Sequence, residues 1–386
     1  MHMATTGIAA RSFRGALGTT EHYITVEAPA DLSFADQLRA VERRYADAQR
    51  ALGLDPETAV FRRVFVSDVL NQIAAVQASP LVQDLPGSPV AVSLVQQQPL
   101  PGSKVALLAY HVDGAAVAKR RLSPNHVLVE QNGLRHLWST RLCAGSADPV
   151  VSAEAQTGGI FDALMATLSA EGGNLHDHCV RTWIYVKDVD VFYHGMVRSR
   201  TAVFDRQGLT ADTHYIASTG IEGACAHQYD VVSMDAYSVL GMVPEQMSFL
   251  NDFDYMCPTR DYNVTFERGT RIAYADRAHG FISGTASIDK TGRVVHPGDV
   301  IAQLDRALEN VEAILKPGAA TLADMTHLLV YLRDTADHPR VEAHLAERLP
   351  EVPALIVRGA VCRPEWLIEV EGIAVSKNDD PALPRF

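Results

Sequence analysis

The chain has 386 residues, of which 47% are hydrophobic and 21% charged, enough apolar material for two or three domains of ordinary size. A formal net charge of −12, with Lys and Arg unclustered, argues against a face built to neutralise nucleic-acid phosphates. The five cysteines are irregularly spaced without Cys-x-x-Cys, and there is no signal-type apolar region or run of eighteen apolar residues. This composition predicts a soluble, cytoplasmic protein with reduced thiols and no membrane partner.

The first dozen residues, MHMATTGIAARSF onward, read as disordered. Then comes a pattern that occurs three times. From Gln37 to Asp68 a helical stretch, a loop and an apolar strand follow one another, and "LPGSKVALLAYHV" closes the unit. The second copy begins with the strands of "HLWSTRLCAGSADPVV". It then sets Gln156 at the start of a helix and ends its middle strand at Trp183-Ile-Tyr185-Val-Lys-Asp188, before closing with "HQYDVVSMDAYSV". The third opens on "HGFISGTASIDKTGRVV", where Asp289-Lys-Thr-Gly292 is a hairpin connection. It spaces Ile301, Leu304, Leu308, Val311 and Leu315 along a helix beginning near Gln303, ends its middle strand at Asp334, and closes with "CRPEWLIEVEGIAV". The Gln-to-Asp separation is nearly constant across the three. The expected architecture is α+β: three tandem β-β-α-β-α-β domains, at 1–120, 121–262 and 263–386.

The order of elements, with Ser283-Gly284 after the first strand, Gln opening the helix, "VYLRD" ending the middle strand and "IEVEGIAV" at the close, resembles the YjgF/RidA family. The likeness covers nearly all of 263–378, is weaker over 125–240, and holds only in outline over 20–115. It implies a chorismate mutase-like fold, with the trimer of that family folded into one chain as an intramolecular pseudo-trimer. Sites would lie in the clefts between neighbours, and the chain would be a monomer. A sharper resemblance, to the chorismatases, rests on Cys362-Arg363 followed by Leu367-Ile-Glu369-Val-Glu371-Gly372, on "SGTASI" at 283–288, and on "VRTWIYVKDVD" and "ASTGIEG". It implies a lyase or hydrolase of secondary metabolism that cleaves chorismate or a similar small carboxylated enol ether, without a cofactor, releasing pyruvate and a hydroxybenzoate-type product. The resemblance leaves two alternatives open. One is a RidA-like imine or enamine hydrolase, although that family's carboxylate-binding arginine corresponds to Leu355 in Pro353-Ala354-Leu355, so Arg363 or Arg358 would have to replace it. The other is a non-catalytic metabolite-binding protein of the same fold.

Aligning the three closing strands places Glu369 opposite Ala106 and Ser233, Arg363 opposite Leu100 and His227, and Cys362 opposite Pro99 and Ala226. Only the third copy keeps the reactive set, so one cleft of three is expected to be competent, formed with the second domain. Strand alternation puts Leu367, Glu369 and Glu371 on one face. A carboxyl set among apolar groups resists ionisation, which suits Glu369 to be the general acid. Arg363 offers a bidentate clamp for one substrate carboxylate, and Arg268, Arg271 or Arg181 a second. Cys362 beside Arg363 is expected to be acidified and to steer the product; the resemblance places a cysteine here in the subgroup forming 3-hydroxybenzoate. Gly284 and Ala286 would let a ring approach the backbone, and Tyr215, Tyr185 and Trp183 line the cleft or the core. His176-Asp-His178-Cys179 lacks a further ligand group, so no metal is expected, and no Walker or Rossmann glycine pattern calls for a nucleotide.

Overall fold

The structure, a computed structural model, describes residues 2–262 and 264–386. In chain order the first unit comprises β1 (His2–Thr5), β2 (Ile8–Arg14), β3 (Thr20–Glu27), α1 (Phe34–Leu52), β4 (Ala59–Val66), α2 (Val69–Gln77), β5 (Ala91–Gln96) and β6 (Val105–Asp113). The second has β7 (Ala118–Ser123), β8 (His126–Gln131), β9 (Leu134–Cys143), α3 (Ala153–Ala170), the one-turn α4 (Leu175–His178), β10 (Cys179–Val186), α5 (Val189–Arg206), β11 (Ala217–Glu222) and β12 (Val232–Leu240). The third has β13 (Met247–Leu250), β14 (Gly269–Ala273), β15 (Arg277–Ala286), α6 (Val300–Leu315), β16 (Met325–Leu332), α7 (His338–Arg348), β17 (Ala354–Arg358) and β18 (Ile368–Lys377).

Each unit forms one six-stranded sheet with equivalent strand order: β1-β2-β3-β6-β4-β5, β7-β8-β9-β12-β10-β11 and β13-β14-β15-β18-β16-β17. The expected order is therefore extended by two strands per unit. One is a parallel strand after the second helix (β5, β11, β17) and the other an outer edge strand (β1, β7, β13). The N-terminus is not disordered as expected, because β1 and β2 pair with one another and with β3. The sheets change between 113 and 118 and between 240 and 247. We propose that each sheet with its helices is one domain; this moves the divisions from 120 and 262, since β7 and β13 belong to the sheets that follow them.

The recurring glutamine has a structural reason. Gln37, Gln156 and Gln303 are fully buried near the start of α1, α3 and α6. Each spans from its helix to the loop before the closing strand: Gln156 accepts from the Val231 and Val232 amides and donates to Tyr229 O, while Gln303 accepts from Leu367 N at 2.9 Å and donates to Glu365 O at 2.9 Å. The recurring aspartates stand as helix caps: Asp68 accepts from Asn71 N and Asp334 from Ala336 N. At the third-unit hairpin Gly292 takes φ +78°, which suits glycine, and Asp289 accepts from Thr291 N and Arg293 N.

One face of each sheet packs on its helices, as Leu164, Leu168 and Phe204 do in the second unit. The opposite faces meet in a shared core, where Phe61, Tyr110, Trp138, Trp183, Tyr237, Phe281 and Tyr331 are buried together. Among the described residues no helix is long and apolar enough to cross a membrane.

Candidate active site

A cavity of about 740 Å³ opens where the third unit meets the second. The third unit supplies Phe266 and Arg268 ahead of β14, Gly284 and Ala286 of β15, the 362–366 loop, and Glu369 of β18. The second unit supplies the α5 face bearing Tyr193, Val197, Arg200 and Thr201, and Ser218, Thr219 and Gly220 of β11. The Gln303 bridge to Glu365 and Leu367 positions the loop and the start of β18, so a helix-opening residue of the repeat fixes where Cys362, Arg363 and Glu369 lie.

Glu369 is 5% exposed, and burial, reinforced by the charge of Glu371, pushes its carboxyl up to about 8 against the lowering effect of Arg181 and Arg268. It is therefore a protonated acid at neutral pH. Gly284 lies against it: a Cβ there would overlap Glu369 Oε1 and come 3.1 Å from Thr219 Cγ2. Two strand positions on, Glu371 lies deeper and is held by charge and hydrogen bonds. Arg181 Nη2 sits 2.5 Å from Oε2, Tyr331 donates to Oε1 at 2.8 Å, and Thr219 donates to Oε2. Thr219 Oγ1 also accepts from Gly284 N at 2.9 Å, so the buried ion pair supports the wall against which Glu369 rests.

Arg363 stacks 4.6 Å over Trp366 and donates to Gly292 O, while Arg268 donates to Cys257 O and lies over Phe266. With Arg200, whose Nη1 is 3.4 Å from Ser218 Oγ, and Arg198, which pairs with Glu154, four arginines line the cavity. Cys362 lines the cavity with Tyr193, but its thiol is not acidified as the sequence suggested. Burial, with the charge of Glu369, pushes it up to about 12, outweighing Tyr193 and Arg363. It is a neutral thiol.

Of the residues singled out from sequence, Glu369, Cys362, Arg363, Arg268, Gly284 and Ala286 are thus brought to one cavity. Arg181 lies behind its wall, paired with Glu371. Arg271 is outside it, against Gly318 and Asn378, because it projects from β14 away from the cleft. Tyr215 is also outside, its ring 6.3 Å from that of Phe204 and its amide donating to Glu267. His176 and His178 serve locally, pairing with Asp177 and accepting from Asn174 N. Sequence reasoning missed Tyr193, Arg200, Thr219 and Trp366. The α5 spacing of Tyr193, Val197 and Arg200 marks one helical face, but the sequence does not say which cleft that face meets.

The matching cleft between the second and first units is differently furnished. Strand register places Ser233 where Glu369 stands, since Tyr185 pairs with Ser233 as Tyr331 does with Glu369. It places Arg141, with φ +56°, where Gly284 stands; its amide donates to Asp235. Arg141 thus carries a side chain where the third unit has none, with its guanidinium donating to Pro124 O.

The family described as Endoribonuclease L-PSP matches residues 273–376. The chain is similar to a chorismatase of Streptomyces rapamycinicus, 30% identical over 235 residues, 56% of this chain and 67% of that one. It is also similar to a 3-hydroxybenzoate synthase of Streptomyces hygroscopicus, 26% identical over 259 residues, 60% of this chain and 73% of that one. A chorismatase crystal structure superposes with a TM-score of 0.63 at 18% identity, covering 97% of this chain and 99% of the other, and so shares the three-unit fold.

Proposed function

Because the chain belongs to the chorismatases of the YjgF/RidA superfamily, and is thereby an enzyme of lyase or hydrolase type, we propose that it cleaves chorismate or a closely similar carboxylated enol ether and releases pyruvate. The observation that carries this reading is Glu369, a buried carboxyl protonated at neutral pH, opening onto an interdomain cavity rimmed by arginines.

In this mechanism Arg200, Arg268 and Arg363 bind the two substrate carboxylates and fix the enol ether beside Glu369. The Glu369 O–H proton passes to the terminal vinyl carbon, turning the methylene into a methyl group and leaving a carboxylate next to an oxocarbenium ion. If water adds, its proton returns to Glu369 and the hemiketal breaks into pyruvate and a ring alcohol. If the neighbouring ring hydroxyl traps the cation instead, its proton returns to Glu369; the ring then loses a C–H proton as its C–O bond to that oxygen breaks, the departing oxygen takes up that proton, and the hemiketal left opens to pyruvate and an aromatic hydroxybenzoate with no water consumed. Cys362, a neutral thiol at the cavity wall, is placed in this reading to favour the second course, toward 3-hydroxybenzoate.

The imine-hydrolase alternative is not favoured. The cleft takes its facing strand from the second unit, where Thr219 has the register of Leu355: Thr219 pairs with Trp183 as Leu355 pairs with Leu329. Thr219 is committed to Glu371 and carries no positive charge.

Incubating the purified chain with chorismate and assaying pyruvate tests the reading; no pyruvate above background removes this substrate. Two further results are expected. Since the protonated form of Glu369 is the active one and titrates near 8, kcat/KM should be flat at neutral pH and fall with rising pH above about 8. A profile rising through that range would assign the proton transfer to another group. Gly284→Ala should lower kcat by about 10²-fold by displacing the Glu369 carboxyl, with the urea midpoint little changed. Steady-state kinetics beside an unfolding curve separate these effects.

A further inference from the structure

Where the third unit has Ala286, Val361, Arg363 and Trp366 around its loop, the same positions of the second unit hold Cys143, Cys225, His227 and Asp230. These side chains converge. The Cys143 sulfur, a ring nitrogen of His227 and a carboxylate oxygen of Asp230 all lie within 4.8 Å of one another, and the Cys225 sulfur, outside that group of three, stands 3.9 Å from His227 O.

Hydrogen bonding within the loop accounts for only part of this cluster. Asp230 is 2% exposed, and its two oxygens accept from Gly145 N at 2.8 Å and Ser146 N at 2.9 Å. Those bonds orient the carboxylate but do not balance its charge, and among the described residues no Lys, Arg or His forms an ion pair with it. A buried carboxylate normally has a cationic partner. Besides those amides, a thiol and an imidazole lie within 4.8 Å of it, groups that become ligands to a cation on losing their protons.

We propose that Cys143, His227 and Asp230, with Cys225 as the fourth donor, bind a zinc-class divalent cation. Two sulfurs and a ring nitrogen select a soft or borderline metal over magnesium or calcium. Donors around tetrahedral zinc stand about 3.5 Å apart, so the present spacing of Cys143, His227 and Asp230 closes by small side-chain rotations, and Cys225 completes the set by turning toward them. The amides of Gly145 and Ser146 act on Asp230 as outer partners that fix its orientation. His227 is exposed and gives the cation a route in. The ion would tie the end of β9 to the loop before β12, in a cleft that lacks the Glu369 equivalent, so its role is structural. The sequence conceals the site because its donors come from two distant segments and include no Cys-x-x-Cys.

The test uses the full chain, reduced with a phosphine, and cobalt(II) as the probe. The expected result is a near-ultraviolet thiolate-to-cobalt charge-transfer band that zinc abolishes. Cys143→Ser should remove or strongly diminish it, and His227→Ala, a change at an exposed side chain that leaves folding intact, should weaken cobalt binding at least about tenfold. The proposal is overturned if the wild-type chain gives no such band. It is equally overturned if the band survives unaltered in both Cys143→Ser and Cys225→Ser, which would assign it to other cysteines. Neither outcome depends on chorismate turnover.

Discussion

Glu369→Gln is expected to lower kcat for pyruvate release by about 10²- to 10⁴-fold while leaving the chain folded. Gln keeps the shape of a protonated carboxyl and removes the transferable proton, so the loss should fall on kcat more than on KM. The stability side follows from the raised titration. Between about 4.5 and 8 the unfolded chain has released the Glu369 proton that the folded chain retains, so wild-type stability declines as pH rises through that window. Gln has no such proton, and the variant should lose that part of the decline and be at least as stable as wild type at pH 8. Kinetics with chorismate and urea midpoints at pH 5 and pH 8 check both effects. A variant retaining wild-type kcat would remove Glu369 from the chemistry, whatever its stability.

The repeat was legible because the residues that carry it act locally. A glutamine near the start of a helix that must bond the loop before the closing strand can stand only at a particular position, so Gln37, Gln156 and Gln303 recur, as do Asp68 and Asp334, whose side chains cap the helical turn that follows; Asp188 holds the same place before α5 without a side-chain capping bond. The added edge strands were hidden for the opposite reason. β7, AKRRLS, has no buried residue, and β13, MSFL, is only four residues long; each is a strand because a neighbour offers it hydrogen bonds, not because its own pattern demands one.

At the site, the asymmetry of β18 could be read because three copies could be compared position by position, and the observed register keeps Glu369 against Ser233 and Ala106. The facing wall could not be read. Arg200 and Tyr193 reach the cavity on a helix of another unit, and nothing local to α5 announces that meeting. Arg268 and Arg271 sit in one short motif but three residues apart on an extended segment, so they project to opposite sides and only Arg268 reaches the cavity. For Cys362, sequence shows the adjacent charge but not the depth of burial, and burial dominates.

The largest stability effect is expected at Arg181, behind the cavity. Its guanidinium and the Glu371 carboxylate are both buried within the shared core, and it also donates to Thr219, Ile282 O and Thr182 O. Arg181→Met removes the cation and leaves the carboxylate with only the hydroxyls of Tyr331 and Thr219 and the more distant Arg63, at 4.0 Å. Truncating one partner of such a pair costs about 3–5 kcal/mol, most of it for the charge left behind, and the remaining Arg63 contact favours the lower end. The deficit comes from a buried charge left without its partner, so removing that charge should shrink it. Adding Glu371→Gln should recover part of the loss in the same way, since Gln carries no charge to strand. Activity should fall as well, because Thr219, hydrogen-bonded to Arg181, Glu371 and Gly284, connects this pair to the wall beneath Glu369. Urea midpoints of the single and double variants, measured beside kcat, decide it. An Arg181→Met midpoint equal to that of wild type at pH 8 would mean that the pair does not hold the interface between the second and third units together.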